Sequence, residues 1–431
     1  MSETTNETAF APHPQREALL AEVHARPFAP MATPARILRF AFLADAAQAA
    51  AARGWIERIC REAGLPGPAA NAKHHAARLP QAEIVFEQHG EFTTYTIRFA
   101  DASPKPFDPP APELMRRLPP IEQPGPHLVS IDLSLTRAEA AGPLESVFDA
   151  TSLAASRVKQ GAATIATDFR ADAQGFVRLL VLNEGLTLNA AGALCVRFIE
   201  TETYRTFALL GLPEAQRLAP KTARIETELA DISAAMTRSQ GLADDGPLLH
   251  RLTLLAAELE ADTAASAYRF GASRAYDELV HQRLNAIGEE TLDQYPTVAS
   301  FLARRGAPAM RTVMTIERRQ GNLSEKLTRA TNLLRTRVDV EIEQQNKKVL
   351  EAMNERASMQ LRLQQTVEGL SIAAISYYVV GLFTYVFKGL KEAGLLPLDP
   401  NIATALAVPV AIGGVAFVVS RIRKAHSGEA H

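Results

Sequence analysis

Residues 369–387 read GLSIAAISYYVVGLFTYVF, nineteen positions without a charge between Glu368 and Lys388. At about 1.5 Å per residue, a helix of that length covers about 28 Å, close to the thickness of one hydrocarbon core. A second uncharged run, PNIATALAVPVAIGGVAFVVS, fills 400–420 between Asp399 and Arg421. The two runs predict a two-helix transmembrane hairpin over 367–424, with the lipid bilayer as its partner. In the connector Lys388 and Lys391 balance Glu392 and Asp399, whereas Arg421, Arg423 and Lys424 follow the second run directly. The positive-inside bias then puts the tail 425–431 in the cytoplasm, and two crossings put the N-terminal part there too. The opening nine residues lack a basic stretch followed by an apolar run, so no cleaved signal is expected.

Neither run holds Asp, Glu, Lys, Arg or His, the groups on which a proton-coupled carrier depends. Ala403, Ala407 and Ala411 recur every four residues, a small-residue stripe suited to close helix packing. Ser376, Tyr377 and Thr384 are the candidate pore-lining positions. Interhelical hydrogen bonds and aromatic anchoring are the more ordinary uses of such side chains.

Upstream, 310–366 contains no Pro and a single Gly, Gly321. Ile316, Leu323, Leu327, Leu334, Val338, Ile342, Val349, Met359 and Leu363 recur mostly at three- and four-residue steps. That period predicts one long stalk or coiled-coil helix of about 85 Å running into the first span, and such a helix usually makes a homo-oligomer. Residues 213–309 read as a helical region, with helices over 214–238, 247–270, 273–293 and 297–304. Residues 1–212 read as an α+β domain. Its predicted elements are a hairpin of 82–89 with 91–99, a strand over 128–135, a second hairpin of 162–170 with 176–182, and a helix over 187–210. Nine prolines between 101 and 126 mark a surface loop or spacer.

Charge and cysteine content narrow the function. Lys and Arg total 46 against 48 Asp and Glu, a net charge of −2, so the chain lacks the basic footprint of a nucleic-acid binder. Two isolated cysteines, Cys60 and Cys195, exclude a disulfide scaffold and a cysteine zinc site. Phosphate-binding glycine loops, the nucleophile elbow and H-E-x-x-H are all absent, so no enzyme activity is expected. Glu22, His24 and Arg26 group an acid, an imidazole and a guanidinium within five positions. Such a cluster suits an anion or metal, although a structural ion pair is the commoner use. Asp168, Arg170 and Asp172 alternate as on one strand face, and Glu258 and Asp262 stand at i and i+4. These four carboxylates are the candidates for holding a divalent cation, the one cofactor considered; salt bridges and solvated helix faces are their plainer reading.

Taken together, HARPF (24–28), SRVKQGAATIATDFRAD (156–172), ETYRTFALLGLP (202–213), RTRVDVEIEQQNKKVLEAMNERASMQLRLQQTVEGLS (335–371) and AISYY (374–378) resemble a family of bacterial membrane-anchored proteins, domain of unknown function 3422. The resemblance implies a topology anchored in the inner membrane and carries no activity. The order of α+β domain, stalk, span, short outer loop, span and basic tail is also similar to CorA-type divalent-cation channels. Their Gly-Met-Asn signature is missing; the span ends FTYVFK at 383–388. Two functions follow as expectations. One is a CorA-like oligomeric ion conduit; the other is a membrane-tethered scaffold or regulator whose cytoplasmic domain binds a partner or ligand. A tethered enzyme is a third.

Overall fold

The structure is a computed structural model that describes residues 10, 13–16, 20, 29–70, 72–292, 294–393 and 397–427. The chain divides into two compact units, 1–235 with 250–331 and 236–249 with 332–431.

The first unit is built on a nine-stranded sheet of order β2-β3-β4-β1-β5-β8-β7-β6-β9. Strand β1 (Ala35–Leu43) leads into helix α1 (Ala46–Glu62), and β2 (His74–Arg78), β3 (Ala82–Gln88) and β4 (Phe92–Phe99) follow. The proline-rich stretch carries one short helix, α2 (Ala111–Met115). Next come β5 (His127–Arg137), β6 (Ala154–Val158), β7 (Ala163–Thr167), β8 (Val177–Asn183) and helix α3 (Leu188–Ala208). Three further helices, α4 (Gly211–Met236), α5 (Leu242–Ile287) and α6 (Val298–Arg305), contribute to this unit, and β9 (Glu289–Thr291) closes one edge. Two more, α7 (Ala307–Glu392) and α8 (Pro400–Ser427), complete the chain. The strands pair antiparallel except β5 with β8, which run parallel.

Strand β1 lies inside the sheet, between β4 and β5, and is buried on both faces. Ile37 and Ala41 join Leu194, Cys195 and Phe198 of α3 in one core. Leu38, Phe40 and Phe42 join Ala52, Trp55, Ile56 and Ile59 of α1 in the other. Its two arginines are buried on the same principle, each with a carboxylate, because an unpaired charge in such a place is costly. Arg36 grips Asp132 on β5 with two bonds of 2.5 Å. Arg39 reaches Glu87 at 3.3 Å and donates to Thr96 at 3.1 Å.

The predicted hairpin of 82–89 with 91–99, the strand over 128–135 and the helix over 187–210 are present as β3–β4, β5 and α3. Two predicted helices, 247–270 and 273–293, form a single one, α5. One glycine inside a helix costs about 1 kcal/mol, less than the gain from seating Phe270 among Ala215, Leu218, Val313 and Ile316. The helix stops earlier than expected, at Ile287, where Gly288 takes φ +69° and the chain turns into β9. Asp168, Arg170 and Asp172 were expected on one strand face. Strand β7 ends at Thr167, and the three lie in the loop that follows, because Asp168 and Asp172 turn their carboxylates onto nearby backbone N–H groups.

In the second unit Arg337 of α7 lies 3.5 Å from the Asp245 carboxylate of α5 and donates to the Met236 carbonyl at 2.9 Å. Beyond it α7 displays Val349, Leu350, Met353, Met359 and Leu363 to solvent. The end of α7 and all of α8 to Ile422 are long and apolar enough to cross a membrane. One stripe of each is shielded: Ile372, Ser376, Val380 and Thr384 on α7, and Ala403, Ala407 and Ala411 on α8. The outward positions, among them Tyr377 and Tyr385 on α7 and Leu406 and Val410 on α8, are exposed.

Candidate functional site

A cleft of about 210 Å³ opens in the first unit among α3, α5, α6 and the start of α7. On α5, Asp277, Val280, His281 and Leu284 line it. Their spacing of i, i+3, i+4 and i+7 puts them on one helix face. Ala299, Leu302 and Ala303 of α6 repeat the pattern. Helix α6 is fixed at its start by Thr297, whose hydroxyl accepts from Ser300 N at 3.0 Å. It ends at Gly306, where an added Cβ would sit 3.0 Å from the Leu302 carbonyl, so that the chain turns tightly into α7 and Met310 closes the floor.

Arg205 is the cation of the wall. Its Nε and Nη2 donate to the two Glu202 oxygens at 2.8 and 2.6 Å, so its charge is spent within its own helix. Its guanidinium lies 5.3 Å from the Phe169 ring centre. Phe169 stacks on Phe301 of α6 at 5.1 Å, and the Arg305 guanidinium lies 4.8 Å from the Phe301 ring centre. The four side chains form a chain of cation–ring and ring–ring contacts that ties α6 to α3.

Asp277 is the contrasting group. Burial pushes its carboxyl above the usual carboxylate range, while His281 pulls the other way. His281 is an imperfect partner: its Nδ1 lies 3.8 Å from the carboxylate and donates instead to the Asp277 backbone carbonyl at 2.8 Å. Among the described residues no side chain or backbone donor is hydrogen-bonded to the Asp277 carboxylate.

The sequence-predicted candidates are scattered. Glu22, His24 and Arg26 lie outside the described residues. Asp168 accepts from the N–H groups of Asp149 and Arg170, both at 3.0 Å. Asp172 accepts from those of Gln174 and Phe176 at 2.9 Å and pairs with Arg178 at 3.1 Å. Both therefore shape the loop that presents Phe169 at φ +56°, a conformation that costs a non-glycine residue about 1–2 kcal/mol. Glu258 pairs with Arg224, and Asp262 with Lys221 at 3.0 Å, two rungs between α4 and α5. Among the described residues no group of three or more His, Cys, Asp or Glu is arranged to hold a metal. Of the three candidate pore positions, Ser376 is 4% exposed and Tyr377 is 78% exposed. Thr384 is half-buried and donates to the Val380 carbonyl at 3.0 Å. His74 and His75 stand on edge strand β2, where His75 meets the buried Cys60 thiol at 3.5 Å.

Of the cleft's polar residues, Asp277 and His281 escaped the sequence reading. The available signal was Asp277 and His281 at i and i+4 beside Val280 and Leu284, a polar pair on an otherwise apolar turn.

A family model described as "Protein of unknown function (DUF3422)" matches residues 11–426. No curated protein and no solved structure matches the chain.

Proposed function

The chain belongs to the DUF3422 family, and from that premise and the geometry of the cleft we propose that it is a membrane-tethered regulator whose first unit binds a small ligand. The observation that carries this reading is the cleft itself: concave and apolar over most of its wall, with a few polar groups, Arg205, Asp277, His281 and Asn285, among its lining, as small-molecule sites are built. The hairpin of α7 and α8 is the anchor, inserted in the bacterial inner membrane with both chain ends on the cytoplasmic side. Its support is the run of exposed Tyr377, Tyr385, Leu406 and Val410 on two helices of spanning length, together with the basic residues after the second run. Copies of the chain associate along α7, where Val349, Met353, Met359 and Leu363 offer apolar surface.

A CorA-like conduit is the competing reading. It asks hydroxyls of α7 to face a shared axis, whereas Ser376 is already shielded within one chain. The test uses the full chain in lipid nanodiscs and in sealed vesicles. Benzyl alcohol at millimolar concentration is expected to raise the unfolding temperature of the wild-type chain but not that of Ala303→Trp, which fills the cleft mouth from an exposed position. Entry of Mg²⁺, Zn²⁺ or Co²⁺ into the vesicles, without any such shift, would overturn the proposal in favour of the conduit.

A further inference from the structure

The chemistry of the cleft narrows what it would hold, an inference that rests on the reading of the cleft as a ligand site. Size comes first. A dry cavity of about 150 Å³ takes benzene, so 210 Å³ suits a body of about eight non-hydrogen atoms. Shape and polarity follow from Val280, Leu284, Leu302 and Met310, which present only hydrocarbon and thioether surface.

Charge separates the remaining classes. Arg205 would attract an anion, yet its Nε and Nη2 are held by Glu202, so that pair is close to neutral from the cleft. Asp277 is different: it lines the cleft, carries no bonded donor, and has His281 Nδ1 at 3.8 Å turned to the backbone carbonyl. A half-buried carboxylate without a donor is an acceptor whose partner must come from elsewhere. The wall of an otherwise largely apolar hollow thus presents one carboxylate with no hydrogen-bonded donor. An incoming donor that carries positive charge gains most there, because charge-assisted bonds are about twice as strong as neutral ones.

We propose that the cleft binds a small organic amine in its protonated form, the apolar body lying against Val280, Leu284, Leu302 and Met310 and the ammonium group on Asp277. The contact is non-covalent, and no bond is made or broken.

Three probes of similar size settle the matter on the full-length chain in nanodiscs by calorimetry: benzylamine, benzyl alcohol and benzoate. Benzylamine is expected to bind at least tenfold more tightly than benzyl alcohol, and benzoate not to bind. Asp277→Asn is expected to abolish the tenfold preference while keeping the weaker binding of the alcohol. Ala303→Trp is expected to remove both. Equal affinity for amine and alcohol, tighter binding of benzoate, or a preference that survives in Asp277→Asn would overturn the amine assignment and leave the cleft as a site for another ligand class. Binding of none of the three would overturn the cleft reading as well. Should Asp277→Asn not fold, the amine-to-alcohol ratio on the wild-type chain and its loss in Ala303→Trp decide the question.

Discussion

The Arg205 guanidinium sits 5.3 Å from the centre of the Phe169 ring, and that ring is delivered by a residue whose φ is +56°. A strained backbone thus supports the stack that holds α6 against α3. Phe169→Ala removes one cation–π and one ring–ring contact and keeps most of the strain, so a loss of about 1.5–2.5 kcal/mol is expected. Phe169→Gly removes the same contacts but relieves the backbone, recovering about 1 kcal/mol. The smaller side chain is therefore the less damaging one, an order that denaturant titration of the solubilised chain reads directly.

The Arg36–Asp132 pair is buried at 3% and 2% exposure. Asp132→Ala leaves Arg36 without its partner in the centre of the sheet, and the expected cost is about 3–5 kcal/mol. The double variant Arg36→Met with Asp132→Leu removes both charges and is expected to recover most of that loss. A double variant as unstable as the single one would show that the pair contributes more than mutual neutralisation.

Asp277 gives stability a pH dependence whose sign follows from burial. Its folded carboxyl titrates above the unfolded value of 3.8, so the folded state holds its proton longer. The corresponding stability is fully present below 3.8 and is lost as pH rises through the folded value. Asp277→Asn carries no such titration. Relative to wild type it is expected to be more stable at pH 7, with the difference shrinking on acidification through that window. His281, which faces Asp277 from the same helix, and Arg205 across the cleft are retained in both chains. Unfolding temperatures of the two chains at pH 3.5–7.5 check this.

Both thiols are protected. Burial pushes Cys195 up to about 12 and raises Cys60 as well. A thiol-specific disulfide reagent at pH 8 is expected to titrate no cysteine in the native chain and two after denaturation, since the thiolate is the reactive species. Rapid reaction of one thiol in the native chain would place Cys60, beside His75, in an open environment.

The proposed hairpin anchor predicts retention. The full chain is expected to stay with membranes through alkaline carbonate extraction. A reporter fused after residue 431 is expected to be active only on the cytoplasmic side, the orientation that the basic residues at 421–424 favour. An active periplasmic fusion would reverse the orientation.

Long periodic helices and the tight β3–β4 hairpin were legible in the sequence because each carries its own signal: a sustained apolar stripe, or alternation around Gly90. Strand β1 was not. ARILRFAFL is buried on both faces, so period-two alternation vanishes, and its arginines suggest a surface. Helix α1 was hidden by an alanine-rich composition that supports several readings. The cleft was illegible for a different reason: three consecutive helices, α5, α6 and α7, must fold back on one another and on α3, about seventy residues upstream, before its walls face each other. Asp277 and His281 become a site only when Ala303 and Met310 arrive opposite them. Asp168 and Asp172 drew notice as carboxylates, yet their visible task is to hold a loop.

Strand β1 also has a consequence for how the sheet finds its pairing. Arg36 and Arg39 use opposite faces and meet acids on opposite sides of the strand, Asp132 of the adjacent β5 and Glu87 of β3, one strand beyond β4. A slip by one residue would turn both guanidinium groups onto the wrong side, into hydrocarbon, and would strand both acids. The two arginines therefore act as a key with a tooth on either edge: the strand can seat in one position, and every misaligned alternative is penalised twice.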